Sequence, residues 1–214
     1  MEVEIIDHFG NDLMVVNAAR VSYGKSKINF DEKDEKLIKY LVAHKHIAPF
    51  RHPQLQFRIT CPIFVERQLF KHQVGMSANS LSGRYVDFSD SYWLPDELRL
   101  QSSSSKQGSG DNLPKEQSDL YIEEMKKIVD QSKKLYKEMS EYGVAKEMCR
   151  MILPLCLETQ FIWTGSLLAF THLWNLRLKN DTQKETRQVA EKMLDLVKNI
   201  EGNPFKHTLA AFNL

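Results

Sequence analysis

Polar and apolar positions divide the chain into segments with two different periods. Residues 3–7 (VEIID) and 13–17 (LMVVN) are short and β-prone, and Phe9-Gly10-Asn11-Asp12 between them carries turn residues. Together they predict a hairpin. Residues 54–60 alternate cleanly: Leu55, Phe57 and Ile59 fall on one side, and Gln54, Gln56, Arg58 and Thr60 on the other. That is the period of a half-buried strand. Within the charged segment 31–45, Leu37, Ile38, Leu41 and Val42 recur at helical spacing. Pro62 suits the first position of a helix, which is predicted to run over 63–73. The small residues of 74–88 predict a loop entering a strand near Tyr85.

Beyond Leu113 the helical period dominates. Leu120, Tyr121, Met125, Ile128, Leu135, Tyr136 and Met139 form the stripe of an amphipathic helix, and Gly143 suits its end. A second helix is expected over about 145–157. Residues 161–178 are apolar nearly all round and predict a helix buried on every side, in a core or at a subunit interface. Thr182-Gln183-Lys184-Glu185 has the spacing of a capping box. It would open a last helix with Val189, Met193, Leu196, Val197 and Ile200 as its stripe. A sheet in the N-terminal half followed by a helical half predicts an α+β fold, α/β in a looser sense, in one domain over 1–214. The low-complexity stretch 101–112 predicts a mobile polar loop.

Composition narrows the classes. With 42% hydrophobic and 27% charged residues the chain is too apolar to be disordered. A net charge of +1 gives no global field for nucleic acid or membrane, so a bound anion must be held by local clusters. Cys61, Cys149 and Cys156 form no even-numbered framework and no metal-type pair, which suits a reducing compartment. The N-terminus lacks the cationic and apolar regions of a signal peptide. The apolar run 161–178 is broken by Thr164, Ser166, Thr171, His172, Asn175 and Arg177, which makes a poor membrane span. A cytoplasmic location is expected.

Residues 66–88 carry the most chemistry. On a helix Arg67 and Lys71, and likewise Gln68 and His72, are four apart and lie on adjacent faces. Asn79, Ser80, Ser82 and Gly83 then offer uncrowded donors, and Arg84 adds a third cation. A phosphorylated ligand needs such an arrangement, although a solvated basic helix with a Ser-rich turn has the same pattern. Arg150 adjoins the apolar run 151–157, where a partly buried arginine needs an anionic partner. Arg187 lies about 200° around its helix from Val189 and so points away from the apolar stripe. His172 is expected to be a satisfied core histidine, and His46 and His52 to be loop histidines.

The segment Lys71-His72-Gln73, an eight-residue gap and Ser82-Gly83-Arg84-Tyr85 resembles the signature of the flavin-dependent thymidylate synthases. In that family the pattern reads Arg-His-Arg, seven or eight residues, then Ser and often Arg-Tyr. Phe64-Val65-Glu66-Arg67-Gln68 before it is also similar. So are Ala18-Ala19-Arg20-Val21-Ser22-Tyr23, His46-Ile47-Ala48-Pro49-Phe50-Arg51-His52 and Arg150-Met151-Ile152-Leu153-Pro154. Asn175-Leu176-Arg177-Leu178 through Gln183, Glu185 and Arg187 completes a series spread over nearly the whole chain. The chain departs from the pattern at Lys71 and Gln73, where arginines are usual, at Ser80 (often Glu), at Ala48 (often Thr) and at Asp181 (often His).

The resemblance implies an enzyme that methylates dUMP to dTMP. FAD is the cofactor, NADPH the reductant and methylene-tetrahydrofolate the carbon donor, in a homotetramer with sites at subunit interfaces. It implies flavin contacts by His46, Lys71, His72, Gln73, Ser80, Asn175 and Arg177. It implies dUMP contacts by Gln68, Lys71, Ser82, Gly83, Arg84, Arg150 and Arg187, with Arg187 catalytic through the charge that develops on the uracil ring. No cysteine falls in these segments, so a cysteine nucleophile is not expected. Two other readings are a relative that binds nucleotide without turnover, motivated by the two replaced arginines, and a nucleic-acid module, against which the near-zero charge argues.

Overall fold

The structure is a computed structural model that describes residues 1–85, 91–103 and 108–214. Its strands are β1 (Glu2–Phe9), β2 (Gln54–Pro62), β3 (Met76–Ser80), β4 (Arg99–Gln101), β5 (Ser109–Asn112) and β6 (Glu158–Ser166). The main sheet has the order β1-β2-β6-β3 with all neighbours antiparallel, while β4 and β5 make a separate ribbon. The helices among the described residues are α1 (Asp12–Arg20), α2 (Glu32–Ala43), α3 (Ile63–Leu69), α4 (Lys115–Glu141), α5 (Lys146–Cys149), α6 (Leu167–Arg177), α7 (Lys184–Lys198) and α8 (Lys206–Ala211).

The alternation in β2 sets the two faces of the sheet. Leu55, Phe57 and Ile59 are fully buried. The register sets Phe57 opposite Trp163 and Ile59 opposite Phe161, so the large apolar residues of both central strands share one face. On the other face Gln56 donates to Thr164 at 2.8 Å and Arg58 pairs with Glu4 at 2.5 Å. Helices α3, α6 and α7 cover the apolar face with Val65, Leu69, Phe170, Trp174, Val189 and Met193. A second core of Val15, Val16, Ile38, Leu41, Phe50 and Leu168 joins α1, α2 and the 3-10 turn Ala48–Arg51. Helix α6 touches both cores, Leu168 one and Phe170 and Trp174 the other, but it is not buried on every side as expected, since His172, Asn175 and Leu176 are exposed.

Several elements differ from the sequence-based expectation. Residues 13–17 are helical and not the second arm of a hairpin; β1 pairs with β2 instead. Gly10 turns the chain at a φ of 88°, and Asn11 caps α1 by accepting the Met14 N–H at 3.0 Å. Burial of Val15 and Val16 outweighs the weak strand preference of this stretch. Residues 161–178 are a strand and then a helix. Thr159, Phe161, Trp163 and Gly165 alternate into the core, and the Ser166 hydroxyl starts α6 by accepting the Ala169 N–H at 3.2 Å. A continuous apolar run offers no period that separates a buried strand from a buried helix. The α+β class stands, but one central strand comes from the C-terminal half.

Residues 76–80 form β3 rather than a loop, because they pair along β6 from Met76↔Gly165 to Ser80↔Phe161. Tyr85 sits in a turn, and residues 86–88 of the strand expected there lie outside the described residues. The polar stretch 101–112 includes the end of β4 and all of β5; residues 104–107, at the centre of the expected loop, lie outside the described residues. The helix expected over 63–73 stops at Leu69. That expected over 145–157 shortens to α5 and the 3-10 turn Arg150–Ile152. Leu153 precedes Pro154 and is driven to an extended ψ of 133°. Helix α4 ends as expected, with Gly143 at a φ of 96°. Val129 and Tyr136 of α4 are buried, whereas Leu120, Tyr121, Ile128 and Leu135 are exposed. Among the described residues no helix is long and apolar enough to cross a membrane.

Gly165 marks the tightest approach in the sheet. A Cβ there would stand 2.9 Å from Met76 Cγ and 3.1 Å from the Gly75 carbonyl oxygen. Gly165→Ala is expected to destabilise the fold by about 1–3 kcal/mol through overpacking. The urea midpoint would fall with the slope m unchanged. An unchanged midpoint would show that β3 yields without cost.

Candidate functional site

Helices α3 and α6 start at opposite ends of the β2–β6 pair, after Pro62 and Ser166, and their C-terminal ends meet. Arg177 closes the junction. Its Nε donates to His72 Nε2 at 3.0 Å and its Nη2 reaches the Gln68 carbonyl oxygen at 3.5 Å. A guanidinium is well placed there, since the last carbonyls of a helix lack partners within it. The junction opens into a cavity of about 450 Å³ lined by Gln68, Leu176, Arg177, Lys179, Asp181, Thr182 and Gln183. Gln68 Oε1 is buried with no hydrogen-bond partner among the described residues, leaving an acceptor for a ligand N–H. Two cations, one carboxylate and two amides therefore surround one polar space.

The state of His72 follows from its contact. Arginine has no acceptor, so the His72 nitrogen that meets Arg177 must carry the lone pair. Burial first, then the Arg177 charge and then His172, push the imidazole from 6.5 down to about 4. His72 is thus neutral at physiological pH and orients Arg177 instead of adding a charge. Burial also lowers Arg177, yet a guanidinium stays charged.

Arg187 lies in α7, with its side chain 27% exposed and pointing away from the buried Val189 as expected. Its Nη1 donates to the Asn180 carbonyl at 3.3 Å, and its Nε stands 3.6 Å from Glu191. Both are long contacts that a ligand can replace. The expected capping box does not form. Gln183 occupies the N-cap without a side-chain bond, and the Thr182 hydroxyl donates to the Leu176 carbonyl at 3.1 Å. Glu185 turns inward and pairs with Arg99 at 2.7 Å.

The other expected residues fall into separate groups. His46 lies in a second cavity of about 520 Å³ with His52, Ala18, Ser22 and Lys45, which joins two motif segments that are distant in sequence. Ser82 and Gly83 lie in the turn before Tyr85, and Arg84 Nε pairs with Glu147 of α5 at 3.5 Å. Arg150 follows α5 directly and is exposed rather than partly buried, because the 3-10 turn buries Cys149 instead. His172 is exposed, not a core histidine. Ser80 donates to Glu66 at 2.6 Å, and burial raises the Glu66 carboxyl. Lys71, Gln73 and Asn175 are exposed near the α3–α6 junction. Of the residues expected in the site, Gln68 and Arg177 line the 450 Å³ cavity, and His72 touches Arg177. Lys179 was not singled out from the sequence, although it sits two residues beyond Arg177. The Arg99–Glu185 pair was missed too, being 86 residues apart with no local pattern to reveal it. Burial pushes the Cys61 thiol up to about 12, which makes it inert as a nucleophile.

His72 makes stability depend on pH. Its folded value is depressed, so the unfolded chain takes up the proton more readily. The stability is full above about 6.5, falls as the pH drops towards 4 and levels off below that. Nuclear magnetic resonance titration of the His72 ring is expected to give a midpoint well below that of an unfolded control. An ordinary midpoint would show that the buried setting of His72 beside Arg177 does not persist in solution.

A family model described as thymidylate synthase complementing protein matches residues 4–201. A flavin-dependent thymidylate synthase of Thermosipho melanesiensis is 38% identical over 92% of this chain and 85% of its own. That of Thermus thermophilus is 38% identical over 92% of this chain and 71% of its own. The UMP/dUMP methylase PolB of Streptomyces cacaoi, in a crystal structure bound with 5-Br dUMP, superposes with a TM-score of 0.87 at 26% identity. The superposition covers 99% of this chain and 94% of PolB. The chain belongs to the thymidylate synthase complementing protein family, that of the flavin-dependent thymidylate synthases.

Proposed function

We propose that the protein methylates dUMP to dTMP in the cytoplasm, with FAD as its flavin, NADPH as reductant and methylene-tetrahydrofolate as carbon donor. The observation that carries this reading is the α3–α6 junction. It brings Gln68 and Arg177 into the wall of one polar cavity, with His72 bonded to Arg177. FAD would supply the hydride and methylene-transfer chemistry. The residues suit such a group: Arg177 and Lys179 offer charge for its phosphates, and the unpartnered Gln68 Oε1 offers an acceptor for a ring N–H.

Lys71, His72, Gln73, Ser80, Asn175 and Arg177 hold the flavin in this reading, with His46 reaching it from the second cavity. His72 fixes the direction of the Arg177 fork. Gln68, Lys71, Ser82, Gly83, Arg84 and Arg150 hold dUMP. Arg187 exchanges its long contacts to Asn180 and Glu191 for the uracil ring. There it stabilises the negative charge that grows at the 3-position and makes the 5-carbon more nucleophilic.

Arg84 pairs with Glu147 of α5, Arg150 directly follows that helix, and neither arginine lines the Gln68 cavity. A homotetramer would let a second copy present this pair to that cavity. The exposed Leu120, Tyr121, Ile128 and Leu135 of α4 suit such an association. A second reading, nucleotide binding without turnover, draws on Lys71 and Gln73, which provide one cation where the family pattern has two arginines.

Tritium release from 5-labelled dUMP, with FAD, NADPH and methylene-tetrahydrofolate present, tests the reaction. The protein is expected to be yellow and to release tritium; dUMP binding without release would select the second reading. Arg187→Ala is expected to lower kcat by on the order of 100- to 1,000-fold with the fold intact. Near-normal turnover in that variant would remove Arg187 from the reaction. Sizing chromatography is expected to give a particle of four chains, and a monomer that remains active would overturn the shared site.

A further inference from the structure

The first turn of α7 is held in an unusual way. It has no side-chain cap, and Glu185, which its sequence offers for a capping box, is turned into the protein. The Glu185 side chain is 4% exposed and its Oε1 meets Arg99 Nη2 at 2.7 Å. Arg99 is the first residue of β4, so the pair ties the ribbon to the start of α7. The pair borders a cavity of about 300 Å³ beside Phe64, Trp93 and Met125. Gln183 lines both this cavity and the one at Arg177, and therefore forms part of the wall between them.

This is a costly way to secure a helix. Arg99 Nε and Glu185 Oε2 are buried without hydrogen-bond partners among the described residues. Drawing a carboxylate and most of a guanidinium out of water is costly, and an incompletely bonded pair does not offset this well. An apolar pair of similar volume would serve the fold at least as well. What an apolar pair lacks is direction: it does not fix the rotation of the helix at that turn.

We propose that Arg99 and Glu185 are positioning residues that fix the rotation of the first turn of α7 and thereby aim Arg187 and Gln183 at the substrate. Glu185 and Arg187 are two residues apart and project about 200° from each other around the helix. Pinning one on the buried face sets the other on the open face. A side-chain tip lies about 5–6 Å from the helix axis, so a rotation of about 10° moves it by roughly 1 Å. A displacement of that size can cost about 100-fold in rate. The inference rests on the proposed dUMP reaction for its catalytic consequence, but not for the geometry of the turn.

The test compares Arg99→Leu, Glu185→Leu and the double variant with the parent. Three quantities are read: the urea midpoint, tritium release from 5-labelled dUMP and hydrogen exchange at amides 185–188. Each single variant leaves one buried charge unpaired and is expected to lose stability. The double variant is expected to regain the parental midpoint but to keep kcat about 10- to 100-fold low, with KM changed less, and to exchange faster at 185–188. Recovery of stability and turnover together would overturn the proposal, as would parental exchange at those amides. If the parent itself releases no tritium, the dUMP reading has failed, and exchange alone then decides the role of the pair. Should the double variant not fold, Glu185→Gln keeps the shape and one hydrogen bond to Arg99. It is expected to lower kcat and raise exchange to a smaller extent; parental values of both would overturn the proposal.

Discussion

The fold turns on the antiparallel pairing of β2 with β6. Its register sets Phe57 against Trp163 and Ile59 against Phe161, which gives the sheet one deeply apolar face. The same register fixes where two helices start. Pro62 ends β2 beside the beginning of β6, and Ser166 ends β6 beside the beginning of β2. Helices α3 and α6 therefore set out from opposite ends, each held to the apolar face by its own buried residues. They are bound to converge, and Arg177 meets His72 and Gln68 where they do. A slip of one residue in that register would turn every core side chain to the polar face and separate the two helix ends.

The junction shows how electrostatics and burial divide the work. Arg177 remains charged because a guanidinium cannot lose its proton, while His72 beside it is held neutral by burial and by that charge. One residue supplies charge and the other direction. The pair Arg99–Glu185 at the base of α7 is organised differently, with both partners charged and both incompletely bonded. Polar groups of this kind are expensive inside a protein, and both lie close to the cavity that Gln183 borders.

Motifs that the sequence carries separately are sorted by the fold into distinct places. The Ala18–Ser22 and His46–His52 stretches share one cavity, and Gln68 shares another with Arg177 through Gln183. Arg84 stands with Glu147 and, like Arg150, is absent from that second lining. Equal motif strength in the sequence thus does not mean proximity within one chain.

The sequence by itself determined the elements whose period is strong and local: β2 by its alternation, α2 and α7 by their stripes, and α4 as a helix ended at Gly143, though not the face it buries. It also determined the residue types of the site, because cations, amides and small residues at fixed spacing can be read in one dimension. Tertiary structure decided the rest. The stretches 13–17 and 161–166 are apolar enough for either helix or strand, and the surface they pack against settled which they became. Thr182 and Glu185 have capping-box spacing, yet Arg99, 86 residues away, holds Glu185 instead. The reason is common to these cases. Local preferences differ by tenths of a kcal/mol to about 1 kcal/mol per residue, whereas burial of a large side chain or pairing of a buried charge is worth several times more. Burial and charge pairing depend on neighbours that the order of residues does not place side by side.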